Sequence, residues 1–492
     1  MSVFRDHQLL AITMIAMLAC QGMEKATAQQ SINYDDGQEH VLTDAVQRVV
    51  VSNGSLLDIR ANVEHVEVNA AVLLHNGGQV GSMSPEKGIT LRNGANATLR
   101  SGRVWGIEID AATLTLDGGF VNYFDCNTIE VHNHSNFILE SGGVGAADPG
   151  CRGLDVLDSN VMVNGGSTGG ITWLAGASTA NIASGTLTNI DNGTLYASDT
   201  SSITITGGLV TTPHDVVIRL DDSATLRLTG GEVDAFHGNG IFANHQSIVD
   251  IWGGVVRSNE NSVVSVGGSS QLRIAGGTFE LGEDIYPHIN AAGESNVTIF
   301  GRDFNFPVSK PIEPLGGVIT GTLADGSHVN WRYNRETTAT ITLLAFVPGD
   351  FTLDGVLNSD DIDAQAVAMR SSSAETTIYD QNDDGRIDAS DREIWIHEYA
   401  ATWFGDANLD GEFNSGDLVQ VFQMAAYENS VPAGWKEGDW NGDGVFDSGD
   451  LVWAFQDGGY KRGPRPNIET VPEPSSLLLV IGALGVLLAR HR

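Results

Sequence analysis

A two-glycine word returns along this chain at a fixed step of 23 residues, and few folds can accommodate that. Ile203-Thr204-Ile205-Thr206-Gly207-Gly208 is followed by Leu226-Arg227-Leu228-Thr229-Gly230-Gly231, then Val249-Asp250-Ile251-Trp252-Gly253-Gly254 and Leu272-Arg273-Ile274-Ala275-Gly276-Gly277. Upstream it reads Ser101-Gly102, Gly118-Gly119, Ser141-Gly142, Gly165-Gly166 and Ser184-Gly185, and it fades at Gly301-Arg302. A period of this length means stacked units, not one closed globule. Inside the word apolar and polar residues alternate, with Leu226 and Leu228 facing inward and Thr225 and Arg227 outward, which makes a half-buried strand. The glycine pair then turns the chain where a positive φ or a close backbone approach excludes a β-carbon. A second alternation, as in Val263-Val264-Ser265-Val266, supplies a further short strand. Stacked units of this kind pair their strands in parallel at roughly 4.8 Å. The expected fold is mainly β, a right-handed parallel β-helix over residues 29–304. No Gly-Lys-Ser/Thr follows the glycines, so they are not a phosphate loop.

The register makes specific expectations. Thr204, Arg227, Asp250, Arg273 and Thr298 should form one outward column, with Arg227-Asp250-Arg273 an alternating charge ladder on the surface. Cys126 and Cys151 should lie on neighbouring units, close enough for a disulfide. Residues 305–347 lose the glycine word; Gly316–Gly326 and Thr338–Leu343 read as hairpin strands that cap the open end. His132-Asn133-His134 has metal-ligand spacing, but a lone His-x-His on a strand reads first as a solvated pair.

Composition changes at Pro348-Gly349. Between Gly349 and Tyr460 stand 24 acidic and four basic residues. Four segments, within residues 348–460, follow Asp-x-Asn/Asp-x-Asp-Gly-x-x-Asn/Asp-x-x-Asp. The first carries Asp350, Thr352, Asp354, Gly355, Asn358 and Asp361; the second Asp380, Asn382, Asp384, Gly385, Asp388 and Asp391. The third carries Asp406, Asn408, Asp410, Gly411, Asn414 and Asp417; the fourth Asp439, Asn441, Asp443, Gly444, Asp447 and Asp450. Calcium takes six to eight oxygens, and alternate side chains at places 1, 3 and 5 can converge on one point while glycine at place 6 permits the turn. The carbonyl at place 7, from Val356, Arg386, Glu412 and Val445, adds an oxygen. Place 9 acts through water, and a carboxylate at place 12 closes the shell from the first turn of a helix. Leu418, Val421 and Phe422, then Leu451 and Phe455, fall on one apolar helical face. Up to four calcium ions are expected.

These loops resemble the dockerin repeat, in which one helix follows each calcium loop, and the third and fourth segments fit best. That resemblance implies calcium binding and, in a family that docks through two such repeats, a cohesin-like partner. This chain has four, with starts 30, 26 and 33 residues apart.

The ends carry sorting signals. Arg5, the apolar run Leu9–Ala19 and Ala26-Thr27-Ala28 read as an export signal over residues 1–28, cleaved after Ala28. The rival is a lipoprotein box, Leu18-Ala19-Cys20, with Cys20 acylated. Residues 461–470 read as a linker. Val471-Pro472-Glu473-Pro474 then precedes an apolar run, Leu477–Ala489, and Arg490-His491-Arg492. Thirteen residues make about 20 Å of helix, short of the roughly 30 Å hydrocarbon core, so membrane residence needs local thinning. Residues 471–492 resemble the PEP-CTERM sorting signal. That resemblance implies recognition by an exosortase-type peptidase, a transient stay in the inner membrane, and transfer to the cell surface or an exopolysaccharide matrix.

A net charge of −36 excludes nucleic acid as a partner. The expected function is an exported surface or matrix scaffold with calcium-dependent attachment to a partner or glycan, and no catalytic residue is assigned. The alternative is a polysaccharide lyase or glycoside hydrolase acting on the β face, by fold analogy. Lyase chemistry wants a base beside clustered acids, yet lysine is scarce there (Lys87, then Lys310), leaving Arg219 and Arg227. Glycosidase chemistry needs two facing carboxylates, and nothing in the sequence singles out Asp222 and Asp250.

Overall fold

A computed structural model describes residues 29–82, 86–123, 126–146, 150–282, 285–352, 355–370, 379–382, 384, 386–429 and 431–466. The expected export signal, residues 1–28, and the expected sorting tail, residues 471–492, lie outside them. The chain divides into two compact units after Ala345.

The first unit is mainly β, its described residues forming 33 strands joined in one sheet. Three parallel series of strands run through it. In one, Ser202–Ile205 pairs with Thr225–Leu228, then Ile248–Ser258, Gln271–Leu281 and Asn296–Arg302. In another, Leu209–Thr212 pairs with Glu232–Ala235, which pairs with the second half of Ile248–Ser258. The third joins Leu195–Ala197, Ile218–Leu220, Ile241–Ala243, Val264–Val266 and Ile289–Ala291. Alternation sets which side chains go in. Leu226, Leu228, Val249, Ile251, Leu272 and Ile274 are buried in one continuous aliphatic core, each contributing roughly 1.5–3 kcal/mol.

The two glycines of the word serve different ends. A β-carbon on the first would meet the carbonyl of the previous repeat: 2.2 Å from Ala183 O at Gly207, 2.3 Å from Thr206 O at Gly230, 2.4 Å from Thr229 O at Gly253. The second takes positive φ, +80° at Gly208, +79° at Gly231 and +80° at Gly254. The second is crowded as well, a β-carbon on Gly231 meeting Gly207 C at 2.7 Å; it is glycine in every word, whereas the first place is serine at Ser101, Ser141 and Ser184. The pair does not always end a strand: Ile248–Ser258 and Gln271–Leu281 run through it with a register shift, so it acts there as a bulge.

The expected outward column is in register, Thr204 beside Arg227, Asp250, Arg273 and Thr298. Within its charge ladder Asp250 and Arg273 are paired. Arg273 holds Asp250 through two bonds of 2.6 and 2.5 Å, while Arg227 lies over the Trp252 ring, 5.5 Å from its centre. The buried indole offers a flat face against which the guanidinium can stack. Cys126 and Cys151 are joined, with Cα atoms 4.6 Å apart. Beyond residue 304 a hairpin forms from Gly316–Leu323 and His328–Arg335. Thr340–Ala345 is not a hairpin strand; it pairs in parallel with Asn296–Arg302, continuing a series.

Among its described residues the second unit holds four α-helices: α1 (Ser359–Arg370), α2 (Ala389–Ile394, widening into a π turn over Trp395–Tyr399), α3 (Ser415–Gln423) and α4 (Ser448–Gln456). They pack around a separate core that includes Trp395, Trp435, Trp440, Phe413 and Phe446. Among the described residues no helix is long and apolar enough to cross a membrane.

Candidate metal centre

Each helix of the second unit begins on one of the four acidic loops. Place 12 falls in the first helical turn every time, as Asp361, Asp391, Asp417 and Asp450. Place 6 has positive φ wherever it is described, +85° at Gly355, +93° at Gly411 and +92° at Gly444. Asp354 and Gly385 lie outside the described residues.

Loops three and four share one hydrogen-bond pattern. Asp406 accepts from the amides of Asp410 (3.2 Å) and Gly411 (2.7 Å) and from the Thr402 hydroxyl. Asp439 accepts from Gly444 (3.0 Å) at place 6 in the same way, while its second amide donor is Gly442 (2.8 Å) at place 4. Asn408 and Asn441 accept from the amides of Asp410 and Asp443, at 2.9 and 2.8 Å. Asp410 and Asp443 accept from the amides of Glu412 and Val445, both at 3.0 Å. Asp417 takes the amides of Ala407 (3.1 Å) and Asn414 (2.8 Å); Asp450 takes those of Trp440 (2.9 Å) and Asp447 (2.9 Å).

The first two loops follow the same plan. Asp350 accepts from Gly355 (2.8 Å), and Asp361 from Thr352 (2.9 Å) and Asn358 (2.9 Å). Asp380 accepts from Asp384 (3.1 Å), Asn382 also from Asp384 (2.9 Å), and Asp384 from Arg386 (2.9 Å). Asp391 accepts from Gln381 (2.7 Å) and Asp388 (2.8 Å). Val356 is exposed.

Place 9 has a task that sequence reading did not assign to it. Asp388, Asn414 and Asp447 are helix N-caps, accepting from the amides of Ser390, Gly416 and Gly449, and with place 12 they close a capping box. The apolar helical face also differs from expectation. Val421 is fully buried, but Phe422 and Phe455 are 47 and 48% exposed, because Phe413, Phe446 and the tryptophans already fill the core.

Places 1 and 12 are buried in all four loops. Burial pushes the Asp406 and Asp439 carboxyls up to about 6, and raises Asp417 and Asp450 as well. The neighbours acting on Asp406 are the Thr402 hydroxyl, loop amides and the Asp417 carboxylate. Two buried acids facing each other in this way are unfavourable when ionised. A divalent cation removes that penalty with oxygen donors it prefers, so the donor set fits calcium. As they stand, the side chains are turned toward loop amides. Among the described residues no three His, Cys, Asp or Glu side chains are gathered closely enough to hold an ion.

Loop four has its own cations. Arg370 lies 3.6 Å from Asp439 and donates to Gly442 O at 2.7 Å. Arg392, wholly buried, donates to the carbonyls of Ile362 (3.0 Å), Asp439 (2.8 Å) and Trp440 (2.9 Å). Burial lowers its pKa to about 10, against the pull of Asp439, Asp363 and Asp450. Sequence reading passed over Arg392, although a signal was present: it stands one place after Asp391, where the other three helices carry Ile362, Leu418 and Leu451. Trp395 and Trp435 bond through their indole nitrogens to Gly349 O and Asp406 O, both at 2.7 Å, fixing the entries of loops one and three.

No protein-family model, curated protein or solved structure matches the chain.

Proposed function

We propose that the β unit is a right-handed parallel β-helix and that the protein is an exported scaffold of the cell surface or an exopolysaccharide matrix. Its second unit takes up calcium and attaches the scaffold to a glycan or to a cohesin-like protein. The resemblance of residues 471–492 to a sorting signal supports release at the surface by an exosortase-type enzyme. One observation carries the calcium reading: the buried carboxylates at places 1 and 12, with Asp406 and Asp417 set against each other. Calorimetric titration of the chelated protein with calcium tests it. Uptake of two to four ions, with a gain in helical circular dichroism, is expected. No heat and no spectral change would refute the reading. Glycan screening with and without calcium then tests attachment.

One observation favours the enzymatic alternative. Lys87, nearly buried, lies 3.2 Å from Glu130 and helps line a cavity of about 350 Å³ with His65, Glu67, Arg92 and Glu108. That is a base beside clustered acids. Release of unsaturated or reducing-end sugars from a polysaccharide, abolished in Lys87→Met, would favour catalysis over scaffolding.

A further inference from the structure

The 23-residue step also lines up side chains at a corner the glycine word does not involve. Asp191, His214, His237 and Glu260 occupy equivalent places in four successive repeats. The last three are held in line by rung-to-rung backbone bonds, His237 N to Pro213 O at 3.2 Å and Asn259 N to Ala235 O at 3.1 Å. The imidazoles of His214 and His237 stack in parallel, 5.3 Å between centres and 6° apart in plane. Nδ1 of His237 lies 2.6 Å from Oε2 of Glu260, and both side chains are well exposed, at 39 and 44%.

A carboxylate on Nδ1 fixes the tautomer that leaves the Nε2 lone pair free, as around metal-binding histidines. The parallel ring of His214 presents a second imidazole from the adjacent repeat. We propose that this corner binds one late first-row divalent transition-metal ion through ring nitrogens of His214 and His237, with Glu260 orienting His237. Imidazole pairs suit copper, nickel and zinc, at about 2.0–2.1 Å for zinc, and discriminate against calcium. The two rings are exposed, so side-chain rotation brings their nitrogens together. This site is independent of the acidic loops.

The test is Cu2+ titration of the full chain in excess calcium, read by visible absorption and by electron paramagnetic resonance. One Cu2+ with two imidazole nitrogens is expected. His214→Phe and His237→Phe keep a stacking ring and remove the donors, so each should weaken binding at least tenfold with unchanged melting. Glu260→Gln should weaken it roughly tenfold to a hundredfold. Unchanged Cu2+ affinity in both phenylalanine variants overturns the proposal, as does loss of the signal in His132→Ala/His134→Ala instead. Should the phenylalanine variants melt early, His214→Gln and His237→Gln answer the same question.

Discussion

His75 stands at an inward position between Ile59 and Leu99, in a row that continues through Leu116, Leu139 and Val163. It is the single polar side chain among these six. Among the described residues its ring nitrogens have no hydrogen-bond partner, and burial drives its pKa down to about 4; Asp58 and the backbone at Gly77 and Ser101 pull the other way without reaching bonding geometry. The unfolded chain, titrating near 6.5, takes up the proton first as pH falls. Stability is therefore complete above about 6.5 and declines as pH drops toward 4, by up to roughly 3 kcal/mol. His75→Leu should remove that decline and raise the neutral-pH melting point of the β unit, as differential scanning calorimetry across pH 4–7 would reveal. The glycines give a second comparison at this scale. Gly230→Ala and Gly231→Ala should each destabilise by about 1–3 kcal/mol, the first through the Thr206 carbonyl and the second through its φ of +79° together with the Gly207 backbone. Gly326, with open space around it, isolates the φ cost alone and should lose less. The glycine word was legible because its spacing is a local, repeated signal. His75 was not, since a lone histidine in a strand says nothing about which way it faces until the register is known.

At the level of the element, the acidic loops could be read almost residue by residue. Place 6 must turn, place 12 must begin a helix, and both follow from a dozen adjacent residues. What holds the helices together was hidden, because Arg392 meets Ile362, Asp439 and Trp440 across 30 to 48 residues of chain. Removing its guanidinium leaves three buried carbonyls without their donor. Arg392→Met should destabilise the second unit by about 3–5 kcal/mol in urea unfolding, and Arg392→Lys should recover only part of this, since one ammonium cannot span all three carbonyls. Loops three and four should also respond unequally to metal. Asp417→Asn is expected to raise the apo-protein's melting point, by relieving two facing acids, while weakening calcium uptake tenfold or more. Asp450→Asn should stabilise less, because Arg370 and Arg392 already offset the charge around Asp439.

For the whole molecule, two separate cores predict two thermal transitions. Chelation should lower only the one belonging to residues 346–466, whose acidic loops repel one another without a cation, and added salt should restore part of the loss. Calorimetry with and without chelator reads both. A single transition that moves as one would mean the units are coupled. In the β unit each strand bonds chiefly to its counterparts one repeat before and after, and among the described residues no strand returns from far along the chain to close the sheet. Excising residues 225–247 would therefore set Ile205 against Ile251 with pleat and corner still matched. Such a protein can lengthen or shorten by duplication or loss of one unit of DNA without redesign, so its span is something evolution can adjust in whole increments, like links in a chain.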